Sequence, residues 1–280
     1  MKGKVVVITG ATSGIGQIAA EELAGMGARI IQVARDRERG EAALQRLRER
    51  APGATHGIYY GDLSRISEMK RIASEIAAAE PRIDVLMNNA GALFSSRQVT
   101  EDGLERTFAL NHVSYFVLAN GLRERLAASA PARIINTSSD AHARRKLDLD
   151  DLQSAKSYSG FNVYGLSKLC NILFTRELSR KLSGTGVTAN SLHPGFVATR
   201  FGDQSGGAFS VIVRMAKAFA LSPQKGAETM IYLASSAEVA NVTGQYFYKC
   251  KPATPSKEAQ DDATAQRLWA ETAKLTGVNK

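Results

Sequence analysis

Val5-Val6-Val7-Ile8-Thr9-Gly10-Ala11-Thr12-Ser13-Gly14-Ile15-Gly16 is the stretch on which the fold turns. Four consecutive branched apolar residues, Val5 to Ile8, suit a strand buried on both faces, as in parallel sheets. The run that follows has the spacing Gly-x3-Gly-x-Gly. Glycines there let a turn take positive φ angles and let backbone approach a pyrophosphate. From Gln17 to Met26, apolar Ile18, Leu23 and Met26 are interleaved with Glu21 and Glu22 at helical spacing. A strand, a glycine turn and a helix that aims its free N–H groups at the turn make a dinucleotide phosphate site. Gly10, Thr12, Ser13, Gly14, Ile15 and Gly16 are its expected contacts.

The alternation continues outward from that unit. Strands are expected at 29–34, 55–60, 85–88, 133–137, 187–192 and 244–248, and helices at 38–50, 66–80, 104–128 and 161–182. The pattern predicts an α/β fold, a doubly wound parallel sheet of about seven strands with helices on both faces. No linker or repeat divides it, so one domain is expected over residues 1–280. Two irregular stretches, 141–160 and 196–224, follow strand ends, where such sheets place their ligands, and are the expected substrate-side segments.

Composition narrows the classes. Apolar residues make up 44% of the 280, enough for a real core, and the net charge is +9. The cations are dispersed and no zinc-finger or aromatic RNA-reading motif accompanies them, so an anionic cofactor, not a nucleic acid, is the expected partner. Cys170 and Cys250 make neither a disulfide framework nor a zinc site, which suits a reducing, cytoplasmic compartment. No His, Asp and Glu spacing suggests a metal. No apolar run is long enough for a membrane anchor; the nearest, Ala208 to Leu221, contains Arg214 and Lys217.

Two local features specify chemistry. The second strand ends Val33-Ala34-Arg35-Asp36. A cation at that tip suits the 2′-phosphate of NADP, whereas an acid would hold the ribose of NAD, so Arg35 points to NADP(H). Tyr164 and Lys168 lie four apart on a predicted helix and share a face. A neighbouring ammonium lowers a phenol's pKa and suits it to acid–base work.

Taken together, Gly-x3-Gly-x-Gly, Asn88-Asn89-Ala90-Gly91, Asn136-Thr137-Ser138-Ser139, Tyr164-x3-Lys168 and Pro194-Gly195 resemble the short-chain dehydrogenase/reductase family, in its order, over roughly residues 3 to 250. The resemblance implies a Rossmann-type fold and a tetrad. Tyr164 would be the acid/base, Lys168 its partner and the ribose holder, Ser139 the hydroxyl that polarises the substrate oxygen, and Asn111 the water-holding member of a proton relay. Asp62 and Leu63 would contact adenine, Asn89, Ala90 and Gly91 would flank the cofactor, and Pro194, Gly195, Val197 and Thr199 would line its nicotinamide side. Ser138 and Ser139 are adjacent, and strand alternation points them to opposite sides, leaving Ser138 structural.

Ser139 and Tyr164 are 25 positions apart, further than in many members. The longer insert resembles the retinol dehydrogenase-like branch, including the oxidoreductase portion of WW-domain oxidoreductases. So do Lys168-Leu169-Cys170-Asn171, Gly244-Gln245-Tyr246-Phe247 and Arg267-Leu268-Trp269. Protochlorophyllide reductases share the Lys-x-Cys-Asn pattern, in which Cys170 would be a proton donor; as a helix residue it reads as a buried apolar group. His112 and His193 read as structural, and His142 as a residue bordering the pocket. Arg144-Arg145-Lys146 reads as a solvated loop, with an anion-favouring mouth as the alternative. Phe209 to Leu221 reads as an apolar lid, a subunit contact or a membrane-surface face.

The expected function is interconversion of a carbonyl and an alcohol on a small apolar substrate by hydride transfer. A non-catalytic NADP sensor, or an epimerase, dehydratase or C=C reductase on the same scaffold, are the alternatives. A homo-oligomer is compatible with the sequence, which sets no subunit number.

Overall fold

The apolar run becomes β1 (Val5–Thr9), with Val6, Val7 and Ile8 wholly buried. The computed structural model describes residues 1–196 and 221–278. The other strands are β2 (Arg29–Ala34), β3 (Gly57–Tyr60), β4 (Val85–Asn88), β5 (Ala132–Thr137), β6 (Val187–Leu192), β7 (Tyr246–Tyr248) and β8 (Lys251–Pro252). They form one sheet in the order β3-β2-β1-β4-β5-β6-β7-β8, parallel from β3 to β7, with β8 antiparallel on β7.

Among the described residues the sheet has eight strands, close to the about seven expected. The added β8 is two residues long, too short to carry a periodicity, and follows a turn in which Lys249 and Cys250 take φ of 48° and 59°. Its Pro252 is tolerated because the strand is at the sheet edge.

Strand pleating sends alternate side chains to two helical layers. Val6, Ile8, Ile30, Met87 and Leu192 pack with residues of α1 (Gly14–Gly25), α2 (Arg37–Arg50) and, later in the chain, the helix Pro223–Ser235. Val7, Ile31, Val33, Leu86 and Ile134 face the other way. They pack with α3 (Ile66–Ala79), the 106–128 region, the helix Gly160–Lys181 and the helix Asp262–Thr276.

The helix expected over 104–128 is broken into α4 (Arg106–Phe108), a π-helical turn at Ala109–Val113, α5 (Ser114–Gly121) and α6 (Arg123–Ala128). Its apolar spacing is continuous, so periodicity alone concealed the break. The cause is polar: Asn111 is wholly buried and spends its side chain on other segments, and the ladder widens around it, as π turns at functional sites do.

Among the described residues the remaining α-helices are α7 (Gly160–Lys181), α8 (Pro223–Ser235) and α9 (Asp262–Thr276). Among the described residues no helix is long and apolar enough to cross a membrane.

The chain leaves β1 towards β2 and β3, then returns to β4 on the other side. Such a reversal opens a crevice at the carboxyl ends of the two central strands. Everything singled out in the sequence near Gly10 and Asn89 lies there.

Candidate active site

The cradle is built at the end of β1. Gly10 has φ of +70°, and a methyl at Gly16 would lie 2.4 Å from both the Gly10 carbonyl and Asn89 Nδ2. Only glycine permits that closeness. Ser13 stands at the N-cap of α1 but makes no side-chain cap bond, which leaves the first N–H groups of the helix to a ligand. A nucleotide pyrophosphate fits this loop in shape and charge.

Thr9 was not singled out in the sequence, yet it ties the cradle to β4. Its Oγ1 accepts from the N–H groups of Asn89 and Ala90, both at 2.9 Å. Asn89 Nδ2 returns bonds to the carbonyls of Thr9 and Gly10 at 3.1 and 3.2 Å. Asn89-Ala90-Gly91 is thereby stitched across the crevice to the glycine loop.

At the tip of β2, Ala34 is buried and Arg35 is exposed. Asp36 caps α2 by accepting from Arg39 N–H at 2.9 Å, and this bond holds its carboxyl below the usual range. That carboxylate has structural work of its own. Asp62 Oδ1 accepts from Ser64 N–H and Oγ at 3.0 and 2.8 Å, which shapes the turn after β3 beside buried Leu63.

Beyond β5, the adjacent serines part as alternation requires. Ser138 is buried and donates to the Lys168 carbonyl at 2.7 Å, fastening α7 to the sheet. Ser139 is half-buried, is hydrogen-bonded to Tyr164, and accepts from Ala141 N–H at 3.1 Å. Lys168 is 3% exposed and donates Nζ–H to the Thr137 carbonyl at 3.0 Å. Its ammonium lies 5.5 Å from the ring centre of Tyr164 and 5.6 Å from that of Tyr115.

Asn111 commits its amide to Ala92, with both bonds at 2.9 Å, and to Ser167 Oγ at 3.0 Å. Its carbonyl accepts from Asn171 Nδ2 at 2.9 Å, and the same Nδ2 reaches the Thr137 carbonyl at 3.2 Å. A methyl placed on Gly91 would sit 3.2 Å from Asn111 Oδ1 and 3.4 Å from Lys168 Nζ, so both residues border one point at the end of β4. Thr137, Ser167 and Asn171 join the site without having been singled out for it. The nearest signal for Asn171 was the Lys-x-Cys-Asn pattern.

Burial dominates the electrostatics. It pushes the Tyr164 phenol up to about 12, against the opposing bond from Ser139, and pulls Lys168 down to about 7. The expected lowering of the phenol by the ammonium is therefore outweighed here by desolvation. Cys170 is 1% exposed and burial pushes its thiol up, which suits an apolar helix residue and not a proton donor. His112 is buried against Asn171 and Thr272 and pulled down to about 4, a packing histidine.

The basic run 144–146 divides. Arg144 and Lys146 are exposed, while Arg145 is half-buried with its guanidinium carbon 5.3 Å from the Phe161 ring centre. Pro194 and Gly195 follow β6, and Gly195 N–H donates to His193 Nδ1 at 3.2 Å. Val197, Thr199 and the 209–220 part of the expected lid lie outside the described residues. Among those described, no cluster of His, Cys, Asp and Glu could hold a metal ion.

Known proteins resemble this chain over most of its length. The family profile of short chain dehydrogenases matches residues 4–207. Retinol dehydrogenase 13 of Homo sapiens is 42% identical, over 99% of this chain and 85% of its own. Retinol dehydrogenase 14 of Mus musculus is 40% identical, over 100% and 88%. The WW domain-containing oxidoreductase of Gallus gallus is 38% identical, over 96% and 67%.

A crystal structure of an uncharacterized protein from Mycobacterium paratuberculosis superposes with a TM-score of 0.79 at 31% identity, covering 99% of this chain and 94% of that one. The Pseudomonas aeruginosa RhlG/NADP active-site complex gives 0.71 at 28%, covering 88% and 94%. A glycine cradle at the sheet's switch point, and a tyrosine, lysine and serine gathered at the end of β5, thus coincide with a match over most of the chain: it belongs to the short chain dehydrogenase family, as an oxidoreductase of the retinol dehydrogenase-like branch.

Proposed function

We propose that this protein interconverts an apolar carbonyl compound and its alcohol with NADP(H), using Tyr164 as the acid/base. The observation that carries the reading is the convergence of Ser139, Tyr164 and Lys168 beside the glycine cradle. A nucleotide sensor would need the cradle alone.

NADP(H), when bound, supplies or accepts the hydride. Gly10, Thr12, Ser13, Gly14, Ile15 and Gly16 would hold its pyrophosphate, Arg35 its 2′-phosphate, Asp62 and Leu63 its adenine, and Pro194 and Gly195, with Val197 and Thr199 as the sequence suggests, its nicotinamide side. Asn89, Ala90 and Gly91 keep the facing wall in register through Thr9.

The proton chemistry follows from the chain's own groups. Ser139 Oγ accepts from Ala141 N–H and is hydrogen-bonded to Tyr164, which sets it beside the phenol, where a substrate oxygen would receive its proton. Stabilising that oxygen as charge develops is the largest service such a donor performs. Tyr164, pushed up to about 12, is protonated at neutral pH and therefore poised to give its proton to the forming alcohol. Lys168 holds the ribose and links the phenol to the Asn111 side of the crevice, from which the proton is replaced.

Two exposed aromatic rings near the site support an apolar substrate. Phe161, 49% exposed, opens α7 next to Tyr164, and Phe196, 58% exposed, follows Gly195. The retinol dehydrogenase relatives make retinal and retinol candidates within that class.

Purified protein mixed with NADPH and a panel of decanal, all-trans-retinal and an aliphatic ketone should consume NADPH, read by absorbance, with at least one of them. NADPH binding without consumption across the panel would favour the sensor. Substrate conversion without net NADPH consumption would favour an epimerase.

A further inference from the structure

His142 lies three residues past Ser139 and is 3% exposed. It contacts the Ser139 carbonyl twice, through its own N–H at 3.1 Å and through ring Nδ1 at 2.7 Å. Its other nitrogen, Nε2, is reached by the backbone N–H of Ser256 at 3.1 Å. A backbone N–H can only donate, so Nε2 must carry a lone pair. The neutral ring then holds its proton on Nδ1 and gives it to the Ser139 carbonyl. Both ring nitrogens are thereby assigned, and the ring is edge-on to Tyr246 of β7 at 5.2 Å.

We infer that His142 is a positioning residue for Ser139: its ring Nδ1–H, held in that tautomer by the Ser256 N–H, clamps the carbonyl of the serine that meets the substrate oxygen. The inference rests on the role proposed above for Ser139. The mechanics are local. Ser139 has extended backbone, φ −158° and ψ 153°, and caps the short 3-10 turn Asp140–His142. Holding its carbonyl by two donors of one residue fixes its ψ and hence the direction of its side chain towards Tyr164.

The far anchor is well founded. Ala253 N–H bonds to the Tyr246 carbonyl at 2.8 Å, and Ser256 begins the turn that leads to α9. The C-terminal segment, remote in sequence from the tetrad, therefore sets the tautomer of the residue that clamps Ser139.

Three substitutions separate the two bonds of the ring. Asn places an N–H donor near Nδ1 and nothing at Nε2. Gln reaches the Nε2 position and leaves Nδ1 empty. Phe keeps the ring against Tyr246 and makes neither bond.

Reduction of the best carbonyl from the panel is measured for each, with NADPH affinity read by fluorescence titration. His142→Phe and His142→Gln should lose about ten- to a hundredfold in kcat, the scale of a misaligned reacting group, with NADPH affinity unchanged. His142→Asn should restore most of it, to within about threefold, since only one ordinary hydrogen bond is then missing. Nitrogen-15 NMR of the wild-type ring, which needs no turnover, should report a neutral Nδ1–H tautomer at pH 7.

An active wild type whose His142→Phe variant turns over normally overturns the inference. Equal losses in the Asn and Phe variants, or an Nε2–H tautomer, do the same. A wild type that consumes no NADPH with any carbonyl instead brings down the proposed function, a separate failure.

Discussion

Arg35 shows how a single position is decided by its neighbours. Asp36 beside it raised the competing expectation of an NAD ribose contact, but that carboxylate accepts from Arg39 N–H and pairs with Arg39 Nε at 3.6 Å. With the acid so engaged, the proposal leaves Arg35 to choose the cofactor. Arg35→Ala should raise the Kd of NADP(H) about ten- to a hundredfold, the loss of one or two charge-assisted bonds, and barely change that of NAD(H). Equal weakening of both, measured by titration, would sink the assignment. Tyr164→Phe removes one oxygen and should cut turnover by about two to four orders of magnitude while NADPH still binds. The phenol's elevated pKa fixes the sign of the pH dependence. Carbonyl reduction uses the protonated form, so its rate should stay level through neutral pH and fall only in the alkaline range. Oxidation of the alcohol uses the other form and should climb with pH over the same span. An opposite ordering of the two profiles would remove Tyr164 from the proton step.

Elements of one period were legible and elements built by polar exceptions were not. β1, β2 and β4 declared themselves by apolar runs, and the cradle by its glycines. The π turn around Asn111 did not, because an amide that bonds across to Ala92 and Ser167 leaves no trace in spacing. α8 and α9 were passed over although Ser222-Pro223 and Asp261 cap their starts and Gly277, at φ 60°, ends the second. The stretch 196–224, expected to be irregular throughout, thus ends inside α8. In the site, the charged and aromatic members were readable, whereas Thr9, Thr137 and Ser167 were not, because hydroxyls and backbone carbonyls act only through neighbours distant in sequence. Two glycines illustrate how elements serve different parts of the site. A methyl at Gly16 would meet the Gly10 carbonyl at 2.4 Å, so Gly16→Ala should weaken NADPH binding at least about tenfold by deforming the cradle. A methyl at Gly165 would meet the Ala141 carbonyl at 2.5 Å and push the Ser139 turn off α7. Gly165→Ala should therefore lower kcat about ten- to a hundredfold and spare NADPH affinity. Titration and steady-state rates on both variants check the split, and a common loss of affinity would refute it.

At the scale of the whole molecule, placing Lys168 inside the sheet–helix interface sets a cost that stability measurements can read. Burial pulls its pKa down to about 7, while in the unfolded chain it returns to roughly 10.4. Between those values the unfolded state binds the extra proton, so this group makes stability rise with pH across that window. Below it both states are charged, and the folded protein bears the full penalty of a buried ammonium. The shift corresponds to an upper bound of about 4–5 kcal/mol, and the bond to the Thr137 carbonyl returns about 1–3 of that. Lys168→Met keeps the stem and discards the charge, and the carbonyl it leaves still accepts from Asn171 Nδ2 at 3.2 Å. The variant should then be more stable than the wild type by about 1–3 kcal/mol at pH 6, by urea unfolding, even as it loses activity. The gap should shrink as pH rises from 7 towards 10, because the wild-type lysine sheds its proton in the folded state. A Lys168→Met protein less stable at pH 6, or a gap that widens with pH, would show that the ammonium is held by partners strong enough to offset its burial.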